Sequence, residues 1–296
     1  MNGRRLGLLL VLSLGAGFGC RSLPKQDGVS LAILFDLERK LPGAGMNLVR
    51  PGLIHARWVG PGPLFVNILA VDTRRSDLYF RPLLSSGRMD GAPDTWEPLD
   101  VIARRNGALA AINGDYPLGG LNVSGFTVID GALHLAPKPP KRSSLIFSRD
   151  NSVKMMPYDA SKIGSPDYHQ ALSGGPLIMF DGAFKWERDD TGRINGGDLT
   201  SLDAQIDAAQ ARTAVCLLGD TRTLYLIHVE NRLEDRSGAT PQRLGTLLER
   251  LKCREAMLLA GGAYSGMALK GRLLGASKNL GRPVGSALGL FEHQRP

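Results

Sequence analysis

The sequence predicts an α+β fold: a single domain of mixed, mostly antiparallel sheets flanked by a few helices. Three observations carry that prediction. Short apolar or alternating runs recur between turn dipeptides such as Asp130-Gly131, Asp150-Asn151 and Asp181-Gly182, which is how hairpins are written. Only a few stretches have helical spacing with a start or stop signal. No regular strand-helix-strand alternation runs along the chain, so an all-parallel sheet is not expected.

The chain has 296 residues, of which 43% are hydrophobic, enough to bury a sizeable core. Residues 1–19 read as a leader: Arg4 and Arg5, then the apolar run 6–14, then small residues. That run is too short to span a bilayer as a helix and has the order of a secretory signal. Cys20 follows directly, as in the lipobox of bacterial lipoproteins, with Gly17 and Phe18 departing from its usual residues. The expectation is an extracytoplasmic protein held at a membrane by a lipid on Cys20, with plain secretion as the alternative. In an oxidising compartment Cys216 and Cys253 either pair or stay as two buried thiols.

Residues 20–50 read as a tether with an amphipathic helix over 29–41, its apolar positions Leu31, Leu34, Phe35 and Leu37, and residues 51–296 as the domain itself. "GLIHARWV" alternates, "LFVNILAVDT" is almost continuously apolar, and "DLYFRPLLS" follows. These are a half-buried strand, a buried strand and a third strand. "WEPLDVIARRNG" is a helix stopped by Gly107. "ALAAIN" is a buried strand feeding the turn "GDYPLGG". Three hairpins turn at the dipeptides named above, with the basic loop "APKPPKRSS" between the first two. "RTAVCLLGD" and "TLYLIHVE" are strands, and Thr240 with Pro241 starts a helix over 240–253. "AMLLA" and "VGSALGLFE" close the sheets. The central strands are expected at 64–71, 109–112, 214–218 and 256–259.

The formal charge is +8, which favours anionic partners. No aromatic-rich basic stripe of the single-strand-binding kind is present, so nucleic acid is not expected. HExxH, GxSxG, a P-loop and a dinucleotide fingerprint are absent. The histidines at 55, 134, 169, 228 and 293 have no metal-ligand spacing, and no metal or other cofactor is expected.

What remains is a series of glycine-rich strand exits: Ile112-Asn113-Gly114 with Tyr116; Gly174-Gly175-Pro176 before the Asp181-Gly182 hairpin; Arg212-Thr213-Ala214; and Arg282 ahead of Ala287-Leu288. In this order, over about 50–292, they resemble the motif series of the phosphodiester glycosidase family, which includes bacterial exopolysaccharide-related proteins. The resemblance implies a phosphorylated glycan or sugar-1-phosphodiester as ligand. It also marks two departures. The family usually has Leu-Asp-Gly-Gly-Gly-Ser where this chain has Leu259-Ala260-Gly261-Gly262-Ala263-Tyr264-Ser265, and a His where Gln210 stands. An acid and a base of the family are thus replaced.

The resemblance points to Asp115 and Arg212 as catalytic candidates. Arg212 suits phosphate, because a guanidinium fork matches its oxygens; a salt bridge at a strand start is the other reading. Asp115 lies on a turn after a buried strand, where a side chain reaches a cleft as base, nucleophile or calcium ligand, or merely closes the turn. Calcium held by Asp115 with Asp198, Asp203 or Asp207 has no EF-hand spacing to support it. Asn113, Gly114, Tyr116, Gly174, Gly175, Thr213, Gly261, Gly262, Ser265 and Arg282 are the substrate-binding candidates. The glycines either bring main-chain N–H groups to a ligand or simply make tight turns. Tyr116 and Tyr264 stack on a sugar or pack at the rim. Two functions follow: cleavage of a sugar-1-phosphodiester, or recognition of a phosphorylated glycan by a degenerate relative that does not cleave it.

Overall fold

The computed structural model describes residues 28–87, 96–118, 122–123, 125–135, 142–190, 194–195, 206–232, 234 and 237–293. Cys20 and the leader, the turn residues 119–121, most of the basic loop, and Asp198 and Asp203 lie outside the described residues. Among the described residues three large sheets and two two-stranded ones make up the domain. The largest runs, in spatial order, Gly45–Arg50, Leu53–Gly60, Leu64–Asp72, Thr223–Val229, Arg212–Leu218, Cys253–Leu258, Leu177–Phe180 and Ala183–Phe184. The second holds Ala132–Leu135, Thr127–Ile129, Gln170–Gly174, Ser143–Phe147 and Val153–Pro157. The third holds Arg272–Leu273, Met267–Leu269, Ala110–Asn113, Ser286–Glu292 and Leu78–Leu84. Within these three sheets every ladder among the described residues is antiparallel. That agrees with the scarcity of helices, since parallel neighbours need long crossover connections.

The layers follow from the side-chain period of two. In the strand Arg212–Leu218, Ala214 and Cys216 face one core, with Ile54, Val66, Ile68, Tyr225 and Ile227, and Val215 and Leu217 face another. The helices Gly28–Lys40 and Pro241–Arg250 cover the first face through Ile33 and Leu37 and through Leu244, Leu247 and Leu248. The second face packs on the other two sheets, through Ile112, Leu145, Phe147, Leu172, Leu288 and Leu290. This two-sided burial explains why 64–71 and 256–259 read as continuous apolar runs. The helix Leu99–Arg105 closes the far side with Ile102 and Ala103 against Ala111, Ala268 and Ala287.

Several local expectations are met for identifiable reasons. Asp130-Gly131 and Asp181-Gly182 both have positive φ at both positions, as a two-residue hairpin turn of type I′ requires. Thr240 caps its helix by accepting the Arg243 N–H, with Pro241 at the first helical position. Cys216 and Cys253 are joined in a disulfide across adjacent strands.

Other details differ. Pro98 keeps Glu97 extended, so Glu97–Pro98 is a short strand and the helix begins at Leu99. The helix starting at Pro241 ends at Arg250, and 253 opens a strand. Residues 45–50 pair with the next strand as the edge of the large sheet. In the first helix the buried face is Ser30, Ile33 and Leu37, while Phe35 is 63% exposed.

The core also contains a titratable group with a predictable effect. His228, opposite Thr213 on one side and Asn67 on the other, is fully buried. Neither ring nitrogen has a hydrogen-bond partner. Burial pushes its pKa down to about 4, with the Glu230 carboxylate opposing. The folded chain therefore holds His228 neutral, whereas in the unfolded chain it takes a proton near its ordinary value of 6.5. Between those limits the unfolded state binds the extra proton, so stability is complete above about pH 6.5 and falls as pH drops towards 4. The expected loss is on the order of 3 kcal/mol. Denaturation midpoints measured from pH 7.5 to 4 should show it, and His228→Leu should remove most of the slope. A wild-type midpoint that is flat across this window contradicts the assignment.

Candidate functional site

The strand exits named in the sequence meet at one end of the sheets, and Asn113 is the joint. It ends the strand Ala110–Asn113 and is fully buried. Its Nδ2 donates to Ala260 O at 2.8 Å and to Gly114 O at 3.1 Å. Its Oδ1 accepts from Thr213 Oγ1 at 2.7 Å and from the Gly266 N–H at 2.9 Å. All four bonding positions of the amide are used. Because the Thr213 hydroxyl proton goes to Asn113, Ser265 Oγ is the donor in its 2.7 Å contact with Thr213. One side chain therefore ties the third sheet, the large sheet and the glycine loop together.

Asp115 sits beside this joint, engaged in a buried ion pair. Its side chain is 0% exposed and paired with Arg142, itself 2% exposed. Arg142 reaches both carboxylate oxygens, through Nη2 to Oδ1 and through Nε to Oδ2 at 3.3 Å. Ser173 Oγ donates to Oδ2 at 2.6 Å and accepts the Phe126 N–H, and the Tyr116 N–H donates to Oδ1 at 2.7 Å. Arg142 also lies 5.3 Å from the Tyr116 ring centroid. Sequence reasoning missed Arg142 and Ser173. Arg142 stands in the basic loop "APKPPKRSS" and Ser173 just ahead of Gly174-Gly175-Pro176, but nothing local says which acid an arginine 27 residues away will meet.

Arg212 is 1% exposed. Its Nε donates to Ala239 O at 2.9 Å, and its Nη2 donates to Ile206 O at 2.5 Å and Ala208 O at 2.7 Å. These bonds go to the main chain, so the guanidinium fixes the 206–208 turn against the strand start. Asp207 in that turn binds Trp186 and Arg188 rather than a second carboxylate.

The glycine turns are used mostly within the fold. Gly114 N–H donates to Ser286 O, Gly175 N–H to Leu258 O and Gly262 N–H to Ala211 O. At Gly174 a Cβ would meet Leu258 O at 2.9 Å, so close strand approach excludes a larger residue. Gly262 has φ +60°, and a Cβ there would meet Gln210 Oε1 at 2.8 Å. Thus Gln210 lies against the glycine loop. The Gly261 N–H has no hydrogen-bond acceptor among the described residues. Ala260 is 1% exposed, and its methyl packs with Tyr116, Ile194 and Ile206.

Beside Gly262 lies a pocket of about 210 Å³, the volume of roughly seven waters. The turn 208–211, Asn231, Gly262, Ala263 and residues 277–279 line it. Lys278 at its wall is exposed; its main-chain N–H donates to Asn231 O at 2.9 Å, and its ammonium has no hydrogen-bond or ion-pair partner among the described residues. Arg282 stands nearby in sequence with its guanidinium 5.0 Å from the Tyr264 ring centroid, and Trp96 meets the same ring edge-on. The arrangement offers cations and main-chain donors, but no free carboxylate at position 260.

A family model described as phosphodiester glycosidase matches residues 106–291. No curated protein gives a match. Among solved structures, the zebrafish N-acetylglucosamine-1-phosphodiester α-N-acetylglucosaminidase catalytic domain, auto-inhibited by its pro-peptide, superposes with a TM-score of 0.64 at 18% identity, covering 86% of this chain and 84% of that one. A hypothetical protein from Synechocystis gives 0.62 at 15% identity, with 85% of this chain and 64% of that chain covered. This chain therefore spans less than two thirds of the Synechocystis protein's length. A protein from Burkholderia pseudomallei described as exported gives 0.55 at 14% identity, covering 77% and 74%. At these identities the structural likeness concerns the fold.

Proposed function

The chain belongs to the phosphodiester glycosidase family, and from that premise we propose that it recognises sugar-1-phosphodiester linkages in a phosphorylated glycan or envelope polymer without efficiently cleaving them. The observation that carries this reading is the state of position 260. An alanine methyl, enclosed by Tyr116, Ile194 and Ile206, occupies the place of the family's acid. A group with no polar atom cannot accept a proton, attack an anomeric carbon or stabilise positive charge there. Asp115 is not a ready substitute, because the Tyr116 N–H, the Ser173 hydroxyl and the buried Arg142 guanidinium already hold its carboxylate.

The ligand's place is the pocket beside Gly262. Lys278 and Arg282 supply the charge that a phosphodiester needs, and the Gly261 N–H supplies a main-chain donor. Arg212 then acts as a positioning residue: through Ala208 O it fixes one wall of that pocket. Asn113, Thr213 and Ser265 act in the same way on the glycine loop. The extracytoplasmic location and the lipid on Cys20 belong to the same proposal. The Cys216–Cys253 disulfide supports an oxidising compartment.

The test is equilibrium binding of a chromogenic GlcNAc-1-phosphodiester, with release of the chromophore followed in the same sample. Binding is expected with little release. Lys278→Gln should weaken binding by about 1.5–3 kcal/mol, the usual range for a hydrogen bond to a charged group. Undiminished binding in both Lys278→Gln and Arg282→Gln would place the ligand elsewhere.

A further inference from the structure

The opposite ends of the same strands build a second pocket. Gln170 opens the strand that ends in Ser173 and Gly174; Arg149 lies just beyond the strand Ser143–Phe147, whose other end follows Arg142; His293 follows Ser286–Glu292, whose first residue meets Gly114. Strands of five to seven residues separate the two ends by roughly 15–20 Å at about 3.3 Å per residue. The far-end pocket has a volume of about 340 Å³ and is lined by Tyr79, Arg81, Asp130, Arg149, His169 and His293 among others, at the lower end of the range for small-molecule sites. None of the residues assigned above lines it.

Its chemistry is that of an anion site with an aromatic wall. Asp130 is the organising group and is already engaged. Arg81 Nη2 donates to its Oδ2 at 3.2 Å, Gln170 Nε2 to its Oδ1 at 2.7 Å, and His169 Nε2 stands 3.8 Å away. Arg149 is exposed and has no hydrogen-bond or ion-pair partner among the described residues, and Arg81 Nε is buried without one. The neighbouring acids are committed elsewhere. Asp77 and Glu292 pair with Arg50, and Asp150 accepts from the hydroxyls of Ser148 and Ser152. Two arginines therefore face one neutralised carboxylate. The Tyr79 ring packs against Phe291 at 5.2 Å and His293 at 4.3 Å between centroids, a rigid amphipathic surface of the kind that a ring-shaped polar ligand can lie against.

We propose that this pocket is a second ligand site, for a sugar residue bearing one anionic group, with Arg149 and Arg81 on the anion and the Tyr79–His293 pair against the ring. The inference does not rest on the reading of the first pocket.

Calorimetric titration of the whole chain separates the possibilities, using glucuronate, glucose 1-phosphate and methyl glucoside as probes. Saturable binding of an acidic probe is expected, with methyl glucoside about tenfold weaker or more, as loss of a charge-assisted contact implies. Preference for glucuronate identifies carboxylated sugars as the ligand source, and preference for glucose 1-phosphate identifies phosphorylated ones. Arg149→Gln should weaken the preferred probe by about tenfold, and Lys278→Gln should leave at least one acidic-probe isotherm in place. Arg149 is a safe position to change, because none of the described contacts depends on it; His293→Ala provides a second variant on the aromatic wall. The proposal is overturned if Arg149→Gln and His293→Ala both leave acidic-probe binding unchanged, or if methyl glucoside binds as tightly as the acids.

Discussion

Asp115→Ala is expected to lower folding stability by about 3–5 kcal/mol, the usual effect of removing one partner from a buried ion pair. The size follows from what is left behind. The Arg142 guanidinium, 2% exposed, would keep its charge without a counter-ion, and Ser173 Oγ and the Tyr116 N–H would lose their acceptor. Urea unfolding should show the shift as a lower midpoint with little change in slope. Arg142→Met alone should do similar damage by stranding the carboxylate. The double variant Asp115→Leu/Arg142→Met should recover much of the loss, because an apolar pair of similar volume avoids desolvating two charges. This pattern distinguishes a buried pair from a catalytic carboxylate on a cleft wall, whose removal would hardly move the midpoint. A shift below about 0.5 kcal/mol in Asp115→Ala excludes the role given to the pair.

The contrast between Asp115 and the hairpins shows what the sequence makes legible. Asp130-Gly131 and Asp181-Gly182 specify their turns within two residues, because backbone sterics select residues that tolerate positive φ. Thr240-Pro241 announces a helix start for the same local reason. The buried strands at 64–71 and 256–259 are legible because two covered faces leave almost no polar positions, Asn67 excepted. Asp115 and Arg142 carry no such mark. Their pairing depends on bringing together the ends of strands from two different sheets, and a turn aspartate and a loop arginine carry no local sign of that contact. Arg212 is a related case: its strand position was evident, but its carbonyl partners lie on turns with no regular period. Phe35 shows the limit of periodicity itself, since two overlapping apolar faces fit the first helix and packing on the sheet selects the one through Ile33 and Leu37. At 260 the change of residue type was visible in the motif, whereas the enclosure of that methyl required the fold.

That enclosure sets the terms for the largest expected effect, which is on turnover. Native protein should release the chromophore from a GlcNAc-1-phosphodiester no faster than buffer does. Ala260→Asp alone should restore little, because its carboxylate would enter a space held by Tyr116, Ile194 and Ile206 and an unpaired buried charge is strongly disfavoured. Room has to come with charge. Ile206→Ala shortens one of the covering side chains while keeping the main-chain carbonyl that Arg212 binds. Gln210→His supplies the second missing group next to Gly262. In the triple variant the acid faces the glycine loop beside the pocket, where it can assist departure from the anomeric carbon. A positioned acid or base commonly contributes about 10²–10⁴ in rate, and turnover is expected to rise by that order while binding changes far less. Rapid turnover by the native chain, unaltered by Ala260→Asp, would instead show that this chain cleaves its ligand with a different carboxylate, and the non-cleaving reading would be wrong.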